Sequence, residues 1–80
     1  MSIIRVEMDF PKENPMQWIT FDSETSRMID CPLPIESIDR TLVEALYFRL
    51  DHENKFWVAG SDKSSEVVYK TKSIEIVKDT

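Results

Sequence analysis

The residues able to do chemistry are few and scattered. Cys31 and His52 make the one nucleophile–base combination of the chain, and no sequence neighbour activates either. A lone cysteine at the end of a short apolar run reads as a small hydrophobe. A histidine near a helix end reads as a cation suited to the dipole. Structural zinc wants four Cys or His ligands, and the chain holds one of each. Asp51-His52-Glu53 sets three potential ligands side by side, but successive residues at a helix end point in different directions. Asp62-Lys63-Ser64-Ser65-Glu66 lacks the ligand spacing and central glycine of a calcium loop. The sole glycine, Gly60, lies between two β-rich runs, not ahead of a helix where a phosphate cradle would need it. The expectation is a protein that is not an enzyme, with no cofactor and no metal.

Two sets of residues are better suited to holding a macromolecule. Acids at Asp22, Glu24, Asp30, Glu36, Asp39 and Glu44, together with the aromatic pair Phe56 and Trp57, are candidates for binding a protein with a basic surface. Eight aromatic residues and four methionines are many for an 80-residue chain to hide, and exposed aromatics rimmed by charge anchor binding surfaces. Phe56 and Trp57 are neighbours on an expected strand, so their side chains face opposite ways and one must leave the core face. Arg27, Arg40 and Arg49 fall among the acids and weaken the pattern.

The second set is Lys55, Lys63, Lys70, Lys72 and Lys78, which accompany Phe56, Trp57 and Tyr69. Charge beside stacking rings is what single-stranded nucleic acid uses. Asp62, Glu66, Glu75 and Asp79 interleave with these lysines and nearly neutralise the segment. Lysines on exposed strand positions also discourage edge pairing. Nucleic acid is therefore the alternative partner, not the first.

Charge points the same way. The chain carries −5 overall. Residues 1–54 hold eleven acids and five bases, a balance of −6, and residues 55–80 hold four and five, a balance of +1. An acidic surface repels phosphate backbones and anionic lipid and steers toward basic partners; it also keeps a small domain soluble. No apolar run reaches the roughly 18 residues of a membrane span. Met1 to Arg5 lacks the pattern of a secretory signal, and Cys31 has no partner for an internal disulfide. The expected location is the cytoplasm, with no membrane partner.

Residues 1–80 are expected to form a single α+β domain, since so short a chain has no room for two cores. Ile4, Val6, Met8 and Phe10 alternate with polar residues and predict a strand. Pro11 to Pro15 ends it. Met16–Phe21 predicts a second strand and Arg27–Cys31 a short third. Ser37 caps a helix starting at Ile38, with a start at Pro34 as the alternative. Ile38, Leu42, Ala45, Leu46 and Leu50 form a helical stripe that carries the helix to His52–Asn54. Lys55–Ala59 and Glu66–Val77 return to strand, the latter one bent strand or two broken at Lys72-Ser73. The order β-β-(β)-α-β-β predicts an antiparallel sheet of four to five strands with one helix across a face, the other face being polar or covered.

The reading that results is a non-catalytic, acidic protein-interaction module. Small acidic domains of this kind occur among bacterial and phage accessory proteins, including inhibitors that present carboxylates to a nucleic-acid-handling machine. A nucleic-acid-binding domain built on the C-terminal strands is the alternative. A homodimer that buries an open sheet face against itself is the second alternative.

Overall fold

In the computed structural model, which describes residues 2–60 and 65–79, the period-two pattern of the N-terminus becomes strand β1 (Ser2–Met8). Val6 and Met8 are buried while Arg5 is exposed. Strand β2 (Trp18–Asp22) repeats the device with Ile19 and Phe21 inside. It pairs antiparallel with β1 in a register that sets Val6 opposite Ile19. The intervening turn is held by Asn14, whose N–H reaches the Pro11 carbonyl at 2.9 Å and whose Oδ1 accepts from the Met16 N–H at 2.8 Å. Strand β3 (Arg27–Asp30) follows a tight turn in which Ser26 takes a left-handed φ of 62°.

Ser37 caps helix α1 (Ile38–Glu44), its Oγ accepting from the Asp39 N–H at 3.1 Å. The helix then stops far short of the expected His52–Asn54. Tyr47–Leu50 form strand β4 instead, with Phe48 buried and Arg49 exposed. The reason lies in the periods themselves. Leu42, Leu46 and Leu50 are spaced by four, a multiple of two as well as close to 3.6, so the stripe fits a strand equally well. Phe48, which falls outside the helical stripe, is the residue that separates the two readings. Strands β5 (Phe56–Ala59), β6 (Glu66–Tyr69) and β7 (Thr71–Asp79) complete the elements among the described residues.

The fold is α+β, but it holds two antiparallel sheets where one was expected: β3-β2-β1-β7 and β4-β5-β6. The helix does not cover the sheet; the second sheet does. Strand β6 passes into β7 through Lys70 alone, so the expected break at Lys72-Ser73 falls two residues earlier. At the far side the Phe48 N–H donates to the Ser26 carbonyl at 2.8 Å, and the two sheets meet there again.

Phenylalanine fills the space between them. Phe21 comes from the four-stranded sheet, Phe48 and Phe56 from the three-stranded one, and all three are at most 1% exposed. Phe48 and Phe56 stack at 5.6 Å, and Phe21 lies 5.7 Å from Phe56 and 6.2 Å from Phe48. Val6, Met8, Ile19, Cys31 and Leu33 pack around them. The outward positions of the large sheet include Arg5, Glu7, Trp18, Thr20, Ser73, Glu75 and Lys78, with Ile3 among them. Arg5 lays its guanidinium 4.5 Å over the Trp18 ring, so this outer face is polar, with its one large aromatic covered by a cation.

Candidate functional site

The short helix is the unusual element. Ser37 and Arg40 fix it in place: the cap starts it, and the Arg40 Nη1 donates to the Leu33 carbonyl at 3.2 Å while its Nε meets Glu44 at 3.2 Å. Arg27 donates to the Glu44 carbonyl at 2.7 Å and caps the other end. Held in this way, α1 turns Val43 toward the core and leaves Ile38 and Leu42 outside, 80% and 62% exposed. These two lie one turn apart on a single helical face. Ile35, just before the cap, is 72% exposed.

Beside this apolar ridge runs a groove of about 490 Å³. Its walls come from β1 and the residues after it (Met8, Phe10), the turn before β2 (Pro15, Met16), the helix (Leu42, Val43) and the end of β6 (Tyr69). Phe10 and Tyr69 meet edge-to-face at 5.7 Å and join the β1 wall to the β6 wall. Asp39 is part of the wall, Asp9 lies between Met8 and Phe10, Glu13 beside Asn14, and Glu36 ahead of the cap; Lys12 and Lys70 are the exposed bases on the same segments. The acids outnumber the bases there, as they do in the whole chain.

The acids singled out from sequence do not form one face. Asp22 is only 7% exposed, and its Oδ1 is committed to the Glu24 N–H at 2.9 Å. Glu24 lies in the turn before β3 and Asp30 is the last residue of that strand, so the length of β3 separates them. Glu44 is occupied by Arg40, while Glu36 and Asp39 are exposed near the groove. A row of phosphate-like carboxylates along residues 22–44 is therefore absent. Phe56 is withdrawn as well: at 0% exposure it is core, because the face of β5 that it occupies is the one packed on the other sheet.

Trp57 takes the opposite face of β5 and is half-buried. Its indole N–H donates to Asp51 Oδ2 at 2.9 Å, and Arg49 lies 4.9 Å over its ring. Asp51 Oδ1 also accepts the Glu53 and Lys55 N–H groups, at 2.8 and 2.9 Å. These donors, Trp57 first and Lys55 next, hold the Asp51 carboxyl at about 2, below its ordinary 3.8; burial opposes them, and Glu53 and His52 add smaller pulls. Arg49 is raised above its usual value chiefly by its bond to Glu66, at 2.7 Å. The ring is thus flanked by a fixed anion and a paired cation, not by free lysines. Tyr69 is engaged with Phe10, and Lys63 lies outside the described residues.

Cys31 and His52 are not brought together. Cys31 is buried with its Sγ 3.7 Å from Arg40 Nη1, and His52 is exposed in the β4–β5 turn, 3.6 Å from Glu53. The carboxylate of Asp51 is taken up by its own turn, which removes it from the Asp51-His52-Glu53 run as a ligand. Among the described residues no group of three His, Cys, Asp or Glu side chains is placed to hold a metal, and no helix is long and apolar enough to cross a membrane.

No protein-family model, curated protein or solved structure matches the chain. The groove residues went unmarked in the sequence because they come from separated segments. The one local signal was the pair Ile38 and Leu42, which the helical stripe assigned to the core.

Proposed function

We propose that this protein is a non-catalytic interaction module that takes a basic amphipathic segment of another protein into the groove beside α1. The observation that carries the reading is the set of outward residues Ile35, Ile38 and Leu42, the last of which lines an apolar groove of about 490 Å³. A small domain gains more by burying such residues than by showing them, and a contiguous exposed apolar patch marks a binding surface. Acids at Asp9, Glu13, Glu36 and Asp39 give the segment its expected charge: apolar residues for the groove, lysine or arginine at its flanks.

The test is a titration of isotope-labelled protein with a synthetic peptide of alternating leucine and lysine turns, and with a glutamate counterpart. The lysine peptide is expected to shift the amide resonances of Leu42, Val43 and Tyr69, and Leu42→Asp to abolish those shifts without lowering the melting temperature. Equal response to both peptides, or shifts indifferent to Leu42→Asp, rejects the assignment.

A further inference from the structure

Strand β7 is the outer strand of its sheet. It pairs with β1 along one edge. Among the described residues its opposite edge, beyond the point where β6 leaves it, has no backbone partner. The residues there are exposed on both faces, with Ile76 at 63% and Val77 at 54%. An edge of this length and character is a template for another strand.

The register of β7 decides which strand it accepts. Ile4 lies opposite Ile76 and Ile3 opposite Lys78, so Val77 is an extra residue bulged out of the ladder. Because of that bulge, Lys78 returns to the same outer face as Glu75, which lies opposite Arg5. In an unbroken strand, residues three apart would face opposite ways. The bulge therefore creates a face on which an acid and a base sit close together, in an order that is its own complement when the strand is reversed.

We infer that β7 pairs antiparallel with the β7 of a second copy of this chain, about a two-fold axis, with Glu75 opposite the second copy's Lys78. The symmetry writes that charge pair twice and, with Val77 out of the ladder in both copies, sets Ile76 opposite the second copy's Ile76. A register centred on Glu75 instead sets Glu75 against itself. Like charges directly opposite oppose pairing. The same side chains that guard the edge against indiscriminate partners thus favour the Glu75–Lys78 register over that one, and the product is a continuous sheet running β3-β2-β1-β7 and back through the second copy. A strand-edge contact is small, below about 1,200 Å² of total buried area, so the dimer is a concentration-dependent one. It stands apart from the groove, which belongs to the other end of β1.

The experiment is sedimentation equilibrium over a range reaching about 1 mM, with melting temperature followed in parallel. The native chain is expected to pass from 9.4 kDa toward twice that mass. Lys78→Glu alone, and Glu75→Lys alone, should each weaken the dimer about tenfold or more, since each turns two attractive pairs into two repulsive ones. The double variant Glu75→Lys with Lys78→Glu restores the complement and should recover the dimer. Lys78→Glu carries the decision, because Lys78 faces Ile3 within its own sheet, whereas Glu75→Lys also meets Arg5. A mass fixed at 9.4 kDa throughout, or a dimer that ignores both single reversals, overturns the inference. So does a double variant that keeps its fold and fails to associate.

Discussion

Replacing Phe48 with alanine separates the strand reading of residues 47–50 from the helical one. Phe48 is 1% exposed, stacks on Phe56 at 5.6 Å and touches Phe21 across the sheets. Removing a fully buried phenylalanine costs about 3–5 kcal/mol, including the cavity that remains. Of that, the lost ring pairs account for about 0.5–1.5 kcal/mol each. An 80-residue domain, at about 0.05–0.15 kcal/mol per residue, has about 4–12 kcal/mol in all. Phe48→Ala should therefore take away about a quarter or more of the stability, and all of it if the domain is at the weak end. Leu42→Ala is the matched control. At 62% exposure it should cost under about 0.5 kcal/mol. One helix spanning Ile38 to His52 would reverse the order, with Leu42 buried in the stripe and Phe48 outside it. The assay is urea unfolding at one fixed protein concentration, read by far-ultraviolet circular dichroism and tryptophan fluorescence. A Phe48→Ala loss below about 1 kcal/mol, or a Leu42→Ala loss as large, refutes the packing described for β4.

Two further outcomes follow from local geometry. Asp51 is held at about 2 against an ordinary 3.8; a depressed carboxyl favours the folded state above the higher value and loses that contribution as pH falls to the lower. Melting temperature should drop between about pH 4 and pH 2, and Asp51→Asn should flatten that part of the profile. An unchanged acid limb in the variant would mean that another carboxylate governs it. Ser26 sits at φ 62°, where a side chain is unfavourable. Ser26→Gly should raise stability by about 0.5–1 kcal/mol and Ser26→Val lower it, measured by the same urea series; a destabilising glycine would contradict the turn.

What the sequence disclosed about this fold followed from distance along the chain. Strand β1 was legible because Val6, Met8 and their polar neighbours alternate within one short window. The Ser37 cap was legible because its bond to the Asp39 N–H spans two residues. The parity of Phe56 and Trp57 was legible too, but not which of them enters the core, since both are large aromatics and the choice is made by the sheet that β5 packs on. The length of α1 was misread because Leu42, Leu46 and Leu50 satisfy both periods, and only the contact of Phe48 with Phe21 and Phe56 breaks the tie. Asp22 looked like a surface acid because nothing in its type reveals that its carboxylate closes a turn. The groove was invisible, being assembled from residues as far apart as Met8 and Tyr69.

The pairing of β1 with β7 also sets the order in which the molecule can form. Leu50 and Phe56 close a hairpin over a handful of residues, whereas Ser2 and Asp79 come from nearly opposite ends of the chain. The entropy of closing the longer loop exceeds that of the hairpin by about 2 kcal/mol. Hairpins β1–β2 and β4–β5 should therefore appear early and the β1–β7 ladder late, in the millisecond-to-second regime of folds dominated by distant contacts. Until that last strand docks, β1 has an unpaired edge of its own, with Val6 and Met8 incompletely covered. The interval before closure is when this chain is most exposed to aggregation.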